Sequence, residues 1–154
     1  MLINFNDLFL LSSKVNGIIH IGAHNLEELP DYLKGNVRRI IWIEANPEKY
    51  NFIEERLKRF ENMTLGKFAA GRKNDFNILN LANNGQSSSL LEFGTHKMSY
   101  PDIDYVSKIK VEIKPLDNWL DENFNNKDQY NFINIDIQGY ELEALKGMPK
   151  QLKI

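Results

Sequence analysis

The sequence has 154 residues, of which 42% are hydrophobic and 26% are charged, a balance typical of a folded globular domain rather than a disordered chain. At this length we expect a single domain, residues 1–154, with a core of its own. The formal net charge of −2 gives no electrostatic reason to expect nucleic acid or an anionic membrane as a partner. The sequence contains no cysteine, which excludes disulfides and thiolate chemistry and fits a cytoplasmic protein.

The first part of the chain reads as strand, turn, short helix and second strand. Residues 15–22 and 37–44 are the predicted strands, and their apolar runs at 18–21 and 40–43 do not alternate, as is typical of parallel strands covered on both faces. The small residues of the turn 22–25 would let backbone N–H groups approach a ligand closely. Glu44 closes the second strand about 20 residues past a glycine turn, a spacing that suggests a ribose hydroxyl as its partner. The pattern predicts a nucleoside-containing cofactor across the carboxyl ends of the strands.

Two helices have clear boundary signals. The helix between these strands has an apolar face of three leucines and is predicted to stop at Gly35. Pro30 lies inside that pattern, so it removes one backbone hydrogen bond or forces a late start. After the second strand, Asn46 is predicted to cap a helix that has Pro47 at its first position.

The middle of the chain is strand-like with a polar interruption. Residues 63–70 predict a third strand, and residues 76–82 and 109–114 are predicted to pair as an antiparallel insertion. Between them, residues 83–89 are all polar or glycine. Such a run is either a solvated linker or a loop that belongs to a site.

The last part of the chain repeats the helix-then-strand pattern. Asp117 is predicted to cap a helix, and residues 130–136 predict a fourth parallel strand that ends on Asp136. The last helix is predicted over residues 141–146, with Gly147 as its stop.

Five blocks of sequence together resemble the FkbM-type methyltransferases. They are HIGAHN at the first turn, WIEANPEKY after the second strand, NNGQSSSLL in the middle, and PLDNWL and NIDIQGYELEALKGM around the fourth strand. They occur in the right order between residues 20 and 148. The resemblance implies an α/β fold, the Rossmann-like class I methyltransferase sheet, mostly parallel, here with an antiparallel insertion. It also implies an S-adenosylmethionine-dependent O-methyltransferase.

The resemblance implies a set of cofactor contacts. The first turn would line the methionine and ribose side, Glu44 would accept both ribose hydroxyls, and small residues after the third strand would border the adenine. The implied cofactor-binding residues are Gly22, Ala23, Asn25, Glu44, Ala69, Ala70 and Asp136. Each has a structural alternative: a tight turn, an exposed strand-end acid, ordinary small residues, or a helix cap in the case of Asp136.

Methyl transfer also requires a base and a held acceptor. Asp136 or His24 is the candidate base, whereas His20 lies within a buried strand and is predicted to be a core residue. The segment Gln86, Ser87 and Ser88, continuing to Ser89, would close over the cofactor or acceptor unless it is only a solvated loop. The acceptor would be a small molecule, a hydroxyl on a sugar or a secondary metabolite, by family analogy alone. The three histidines and scattered acids show no zinc-ligand spacing, so we predict no metal.

Two features depart from the family pattern. Leu26 follows the turn asparagine where the family usually has glycine, and leucine is costly there if the backbone needs a positive φ. The sequence also stops at Ile154, just after the helix that follows the fourth strand, so the sheet is expected to be truncated with residues 130–136 as an unpaired edge. Such an edge favours a homo-oligomer or a fragment of a longer gene.

Three hypotheses therefore stay open. The first is an active O-methyltransferase. The second is a non-catalytic or truncated module that binds S-adenosylmethionine. The third is a nucleotide-binding or oxidoreductase-like Rossmann domain, which the absence of a full G-x-G-x-x-G pattern disfavours.

Overall fold

A computed structural model describes residues 14–91, 102–125 and 129–152. Its elements alternate strands and helices along the chain. In chain order they are β1 (Ile18–Ile21), α1 (Leu29–Lys34), β2 (Ile40–Glu44), α2 (Pro47–Leu57), β3 (Met63–Lys67), β4 (Ala69–Ala70), β5 (Asp75–Ala82), β6 (Tyr105–Lys114), α3 (Leu116–Asn123), β7 (Phe132–Ile135) and α4 (Glu141–Lys146).

The strands form two sheets. The first is parallel, with the order β3-β2-β1-β7, and the second has the order β4-β6-β5. The predicted α/β, mostly parallel, Rossmann-like fold is therefore confirmed. β5 and β6 pair antiparallel along their length, which confirms the predicted insertion. β1 and β2 are buried at every residue because helices cover both faces of the first sheet.

Side chains of alternate residues divide the core into two layers. Ile18, Ile40 and Trp42 pack with Leu29 and Tyr32 of α1 and with α2. Their strand neighbours point to the opposite face, where they pack against α3 and α4; this second cluster includes Ile19, Ile21, Ile41, Ile43, Leu116, Leu120 and Ala144. The sheet is thus held between two helix layers, which leaves its carboxyl edge as the place for a ligand.

The predicted strand over residues 63–70 is wrong, because the structure divides it. The chain leaves the first sheet after Lys67, bends at Phe68, and then pairs Ala69 with Ile113 in the second sheet. The ring of Phe68 is buried, with its centroid 5.3 Å from that of Trp119. This contact with α3 directs the bend, and apolar periodicity within 63–70 contains no sign of it.

The helix boundaries follow local chemistry in two cases and not in a third. α1 begins at Leu29 with Pro30 in its first turn, which confirms the late start, and the side chain of Asn46 caps α2 by accepting a 3.0 Å hydrogen bond from the Glu48 N–H. The predicted cap at Asp117 is wrong. Pro115 stands at the cap position, and the buried Asp117 carboxylate accepts a 2.7 Å hydrogen bond from the backbone N–H of Lys150.

The strand β7 lies at the edge of the first sheet. Within the described ranges it pairs only with β1, and its four residues are partly exposed. In the same ranges, no helix has the length and apolar character needed to cross a membrane.

Candidate functional site

A cleft opens at the carboxyl ends of β1, β2 and β7, bordered on its other side by the second sheet and the segment 83–89. Nine of the residues predicted for the site line it. They are Gly22, His24, Glu44, Ala69, Ala70, Gln86, Ser88, Ser89 and Asp136. The structure thus brings together residues that are up to 114 positions apart in the sequence.

Glu44 is a buried polar group of the cleft that two backbone N–H groups hold in place. It is the last residue of β2 and is 8% exposed. Its Oε2 accepts a hydrogen bond of 2.8 Å from the His24 N–H, and its Oε1 accepts one of 2.7 Å from the Asn46 N–H. Burial raises the pKa of this carboxyl, against the opposing effect of these two bonds. Because each carboxylate oxygen can accept a second hydrogen bond, the fixed group can still receive two ligand hydroxyls.

The turn 22–25 does not offer its N–H groups to a ligand, contrary to the prediction. The N–H groups of Gly22 and Ala23 both donate to the carbonyl of Ile43, and that of Asn25 donates to Glu27. Packing requires glycine at position 22 instead. A Cβ at Gly22, where φ is +98°, would lie 2.0 Å from the carbonyl oxygen of Asp136.

Three predicted residues lie outside the cleft lining. Ala23 is fully buried in the core beside Ile18 and Trp42. The side chain of Asn25 accepts a 2.9 Å hydrogen bond from Lys49. The buried Ser87 exchanges two hydrogen bonds with the side chain of Asn84. These three residues lie behind the surface of the cleft and do not border its free space.

Asp136 follows β7 and faces the cleft with an exposed carboxylate. Its Oδ1 accepts a 2.8 Å hydrogen bond from the side chain of Gln138. It does not cap the next helix, because the N–H groups of Ile137 and Gly139 donate to Glu141 instead. The Asp136 carboxylate is therefore oriented by Gln138 and accessible to a ligand.

His24 has a carboxylate partner that sequence reasoning missed. Its Nδ1 lies 2.6 Å from Oε1 of Glu27, and its Nε2 is buried with no hydrogen-bond partner among the described residues. Burial of Glu27 acts to raise its pKa, but hydrogen bonds from His24 and from backbone N–H groups outweigh that effect and the pKa is lowered. Spacing of three residues was the only signal for this pair, and such spacings are common.

His20 is a core residue, as predicted. It is 1% exposed, its Nδ1 lies 2.9 Å from the hydroxyl of Tyr32, and its Nε2 lies 3.1 Å from the carbonyl oxygen of Gly22. Asn134 of β7 completes this group by donating a 2.8 Å hydrogen bond to the Tyr32 hydroxyl. The network faces the helix layer and not the cleft.

The polar segment 83–89 is an ordered part of the site rather than a solvated linker. Asn80 and Ser89 exchange backbone hydrogen bonds of 2.9 and 3.0 Å, and the Ser89 hydroxyl donates one of 2.8 Å to the carbonyl of Gln138. The segment is thereby tied to the loop after β7. Gln138 was not predicted as a site residue, because its contacts with Ser89 and Asp136 become visible only in the structure.

The free space in the cleft is small. Its volume is about 80 Å³, whereas ligand pockets typically enclose roughly 300 Å³ or more. The chemistry of the lining fits S-adenosylmethionine, since Glu44 offers a rigid acceptor for hydroxyls and Ala69 and Ala70 leave a smooth wall for a flat base. S-adenosylmethionine is larger than this space, so part of the cleft wall, which includes the segment 83–89, would have to move to admit it.

Comparisons with known proteins give a family match that covers all the residues of the cleft. A family model described as the methyltransferase FkbM domain matches residues 20–154. Searches of curated proteins and of solved structures found no match. Within the described residues, no group of three or more histidine, aspartate or glutamate side chains could hold a metal ion.

Proposed function

Since the chain belongs to the FkbM methyltransferase family, we propose that this domain is an S-adenosylmethionine-dependent O-methyltransferase acting on a hydroxyl of a sugar or secondary metabolite. The observation that carries the cofactor assignment is the buried Glu44 carboxylate, held at the end of β2 by two backbone N–H groups. A carboxylate fixed in this way is suited to accept two adjacent hydroxyls, as a ribose presents them.

The catalytic part of the proposal concerns the opposite side of the cleft. S-adenosylmethionine bound in the cleft would supply a methyl group on a sulfonium, and a sulfonium needs no activation to release that group. The chain must then hold the acceptor hydroxyl in line and take its proton. We assign the proton to Asp136, whose carboxylate faces the cleft and is oriented by Gln138. His24, the other candidate base, lies beside Glu44, on the expected ribose side.

Calorimetric titration tests the cofactor assignment. S-adenosylhomocysteine should bind the unmodified chain, and Glu44→Ala should abolish the heat. Glu55→Gln is a matched control, because Glu55 is an exposed acid on α2 that bonds only to Lys58 among the described residues. Heat with NAD and none with S-adenosylhomocysteine would contradict the proposal and favour a dinucleotide-binding domain.

Transfer of a labelled methyl group to a panel of glycosides and other hydroxyl compounds tests the reaction. Asp136→Asn should lower kcat by about 10²-fold or more if Asp136 is the base, with little change in affinity for S-adenosylhomocysteine. Transfer that survives this substitution unchanged would remove Asp136 from the mechanism.

A second candidate function is a module that binds S-adenosylmethionine without catalysis. It requires only Glu44 and the turn whose backbone N–H holds it, and the structure describes both. Binding of S-adenosylhomocysteine without methyl transfer to any acceptor, in an otherwise well-folded chain, would support this candidate.

We also propose that the chain self-associates through residues 130–136. β7 is the last strand in the order of the first sheet, and its residues Ile133 and Ile135 are only partly buried. A second copy can supply backbone partners for that edge. Sedimentation velocity over a range of concentrations should show a dimer, and a monomer throughout would contradict this.

A further inference from the structure

The ring of His24 presents a buried nitrogen that the fold itself does not use. Among the described residues, Nε2 has no hydrogen-bond partner, whereas Nδ1 is 2.6 Å from Glu27. Burying a polar atom without a partner is unfavourable, and such atoms in native structures call for an explanation.

The position of the ring indicates which part of a ligand it would meet. The main-chain N–H of His24 donates to Glu44, so the residue is fixed beside the expected ribose acceptor. Nε2 faces Gly85, since a Cβ built on that glycine would lie 3.4 Å from it. The nitrogen therefore lies between the end of β2 and the segment 83–89.

We propose that Nε2 of His24 binds one ribose hydroxyl of the cofactor and that Glu27 positions the ring for this contact. The proposal rests on the proposed function, because it assumes a nucleoside in this cleft. Gly85 lies over the nitrogen in this structure, so the hydroxyl would reach it with the segment 83–89 moved outward.

A hydroxyl is the group that suits this nitrogen in both protonation states of the ring. Glu27 accepts a hydrogen bond from Nδ1–H, which leaves Nε2 of a neutral ring as an acceptor. In a protonated ring Nε2 is a donor. A ligand carboxylate matches only the protonated ring and an amide N–H only the neutral one, whereas a hydroxyl can donate or accept.

Two substitutions distinguish a contact of His24 Nε2 with the ligand from a purely structural role of the ring. His24→Asn removes Nε2 but keeps a donor for Glu27 close to the place of Nδ1. Asparagine also tolerates the positive φ of +44° at this position. Glu27→Gln keeps Nε2 but weakens the orientation of the ring, and Glu55→Gln is the control for loss of an exposed carboxylate.

Calorimetry measures the affinity of each protein variant for each of three ligands. Each protein is titrated with S-adenosylhomocysteine and with its 2′-deoxy and 3′-deoxy analogues. His24→Asn should weaken binding of the parent compound by about 5- to 10-fold, the size of one hydrogen bond. It should not weaken one of the two deoxy analogues further, because that analogue already lacks the hydroxyl. Glu27→Gln should have a smaller effect with the same selectivity.

Equal weakening of all three ligands by His24→Asn would show a structural role and overturn the inference. Unchanged affinity for the parent compound would show that the ring does not touch it, with the same consequence. In both cases S-adenosylhomocysteine still binds, so the proposed function stands. No binding to the unmodified chain would overturn the proposed function and this inference together.

Discussion

The backbone N–H of His24 donates a 2.8 Å hydrogen bond to Oε2 of Glu44, which joins the turn after β1 to the end of β2. The bond spans 20 positions of sequence and fixes the acid at the mouth of the cleft. This contact fixes the turn and the acid relative to each other. Because Glu44 is the proposed acceptor for the ribose hydroxyls, a change in its charge should alter ligand binding directly.

Affinity for S-adenosylhomocysteine should fall on acidification. Burial raises the pKa of Glu44, so protonation begins at a higher pH than for an exposed glutamate, whose ordinary pKa is 4.5. The protonated group loses one acceptor for the ribose hydroxyls. Calorimetry from pH 7 downward should show progressive weakening in the unmodified chain and a flatter profile in Glu44→Gln, while parallel profiles would assign the effect to another group.

Gly22 and Gly85 should respond very differently to alanine. A Cβ at Gly22 would meet the Asp136 carbonyl oxygen at 2.0 Å, whereas a Cβ at Gly85 would lie 3.4 Å from His24 Nε2 and 4.0 Å from Lys49 Nζ. Both glycines have positive φ, which makes alanine unfavourable by roughly 1–2 kcal/mol. Urea unfolding should therefore show about that loss for Gly85→Ala and a loss above about 3 kcal/mol, or failure to fold, for Gly22→Ala. Equal stabilities would show that the β1 and β7 ends are farther apart than described.

The fold could be predicted where the signal is local. Asn46 and Pro47 mark the start of α2 by chemistry confined to the first turn, and the alternation in residues 109–114 is enough to indicate a strand of the insertion. Glu44 could be placed at a strand end because the apolar run before it is uninterrupted. These features need no knowledge of distant residues.

The rest depends on contacts between distant parts of the chain. Asp117 looks like a helix cap from its neighbours, yet its partner is the backbone of Lys150, 33 positions away. The bend at Phe68 follows from its contact with Trp119. The turn 22–25 was expected to donate to a ligand because nothing in the sequence shows that the carbonyl of Ile43 accepts two of its N–H groups.

His20 should make the fold sensitive to mild acid. Burial lowers the pKa of His20 from 6.5 to about 4, so the folded chain favours the neutral ring. This stabilisation is fully present above pH 6.5 and is lost as the pH falls towards 4, a change on the order of 3 kcal/mol. Urea unfolding between pH 7.5 and 4.5 should give a steeper loss of stability in the unmodified chain than in His20→Gln, and equal slopes would show that His20 is not the responsible group.

The hydroxyl of Tyr32 should contribute more to stability than that of Tyr50. Tyr32 is fully buried, and its hydroxyl lies 2.9 Å from His20 Nδ1 and accepts a hydrogen bond from Asn134. Tyr32→Phe leaves these buried groups short of a partner and should destabilise the fold by about 1–2 kcal/mol. Tyr50 is the matched control, because it is only half-buried and donates a 3.3 Å hydrogen bond to the Ala45 carbonyl. Tyr50→Phe should change stability by less than about 0.5 kcal/mol, and an equal loss for both would contradict the network.

Leu26 has an unfavourable backbone conformation, but its side chain packs favourably in the core. Its φ is +61°, yet the side chain is 1% exposed in the core cluster with Tyr32 and Ile53 and does not line the cleft. Removing the side chain should destabilise the fold by about 2–5 kcal/mol. At most positions glycine is worse than alanine by roughly 0.5–1 kcal/mol, but here glycine also relieves the left-handed backbone.

We therefore expect Leu26→Gly to be more stable than Leu26→Ala by about 1 kcal/mol in urea unfolding, the reverse of the usual order. Since the side chain points into the core, affinity for S-adenosylhomocysteine should be similar in both variants and in the unmodified chain. Greater stability for alanine would show that residue 26 is not in the left-handed region. A large gain in affinity in the glycine variant would show that leucine restricts the cofactor turn, as the comparison with the family's usual glycine first suggested.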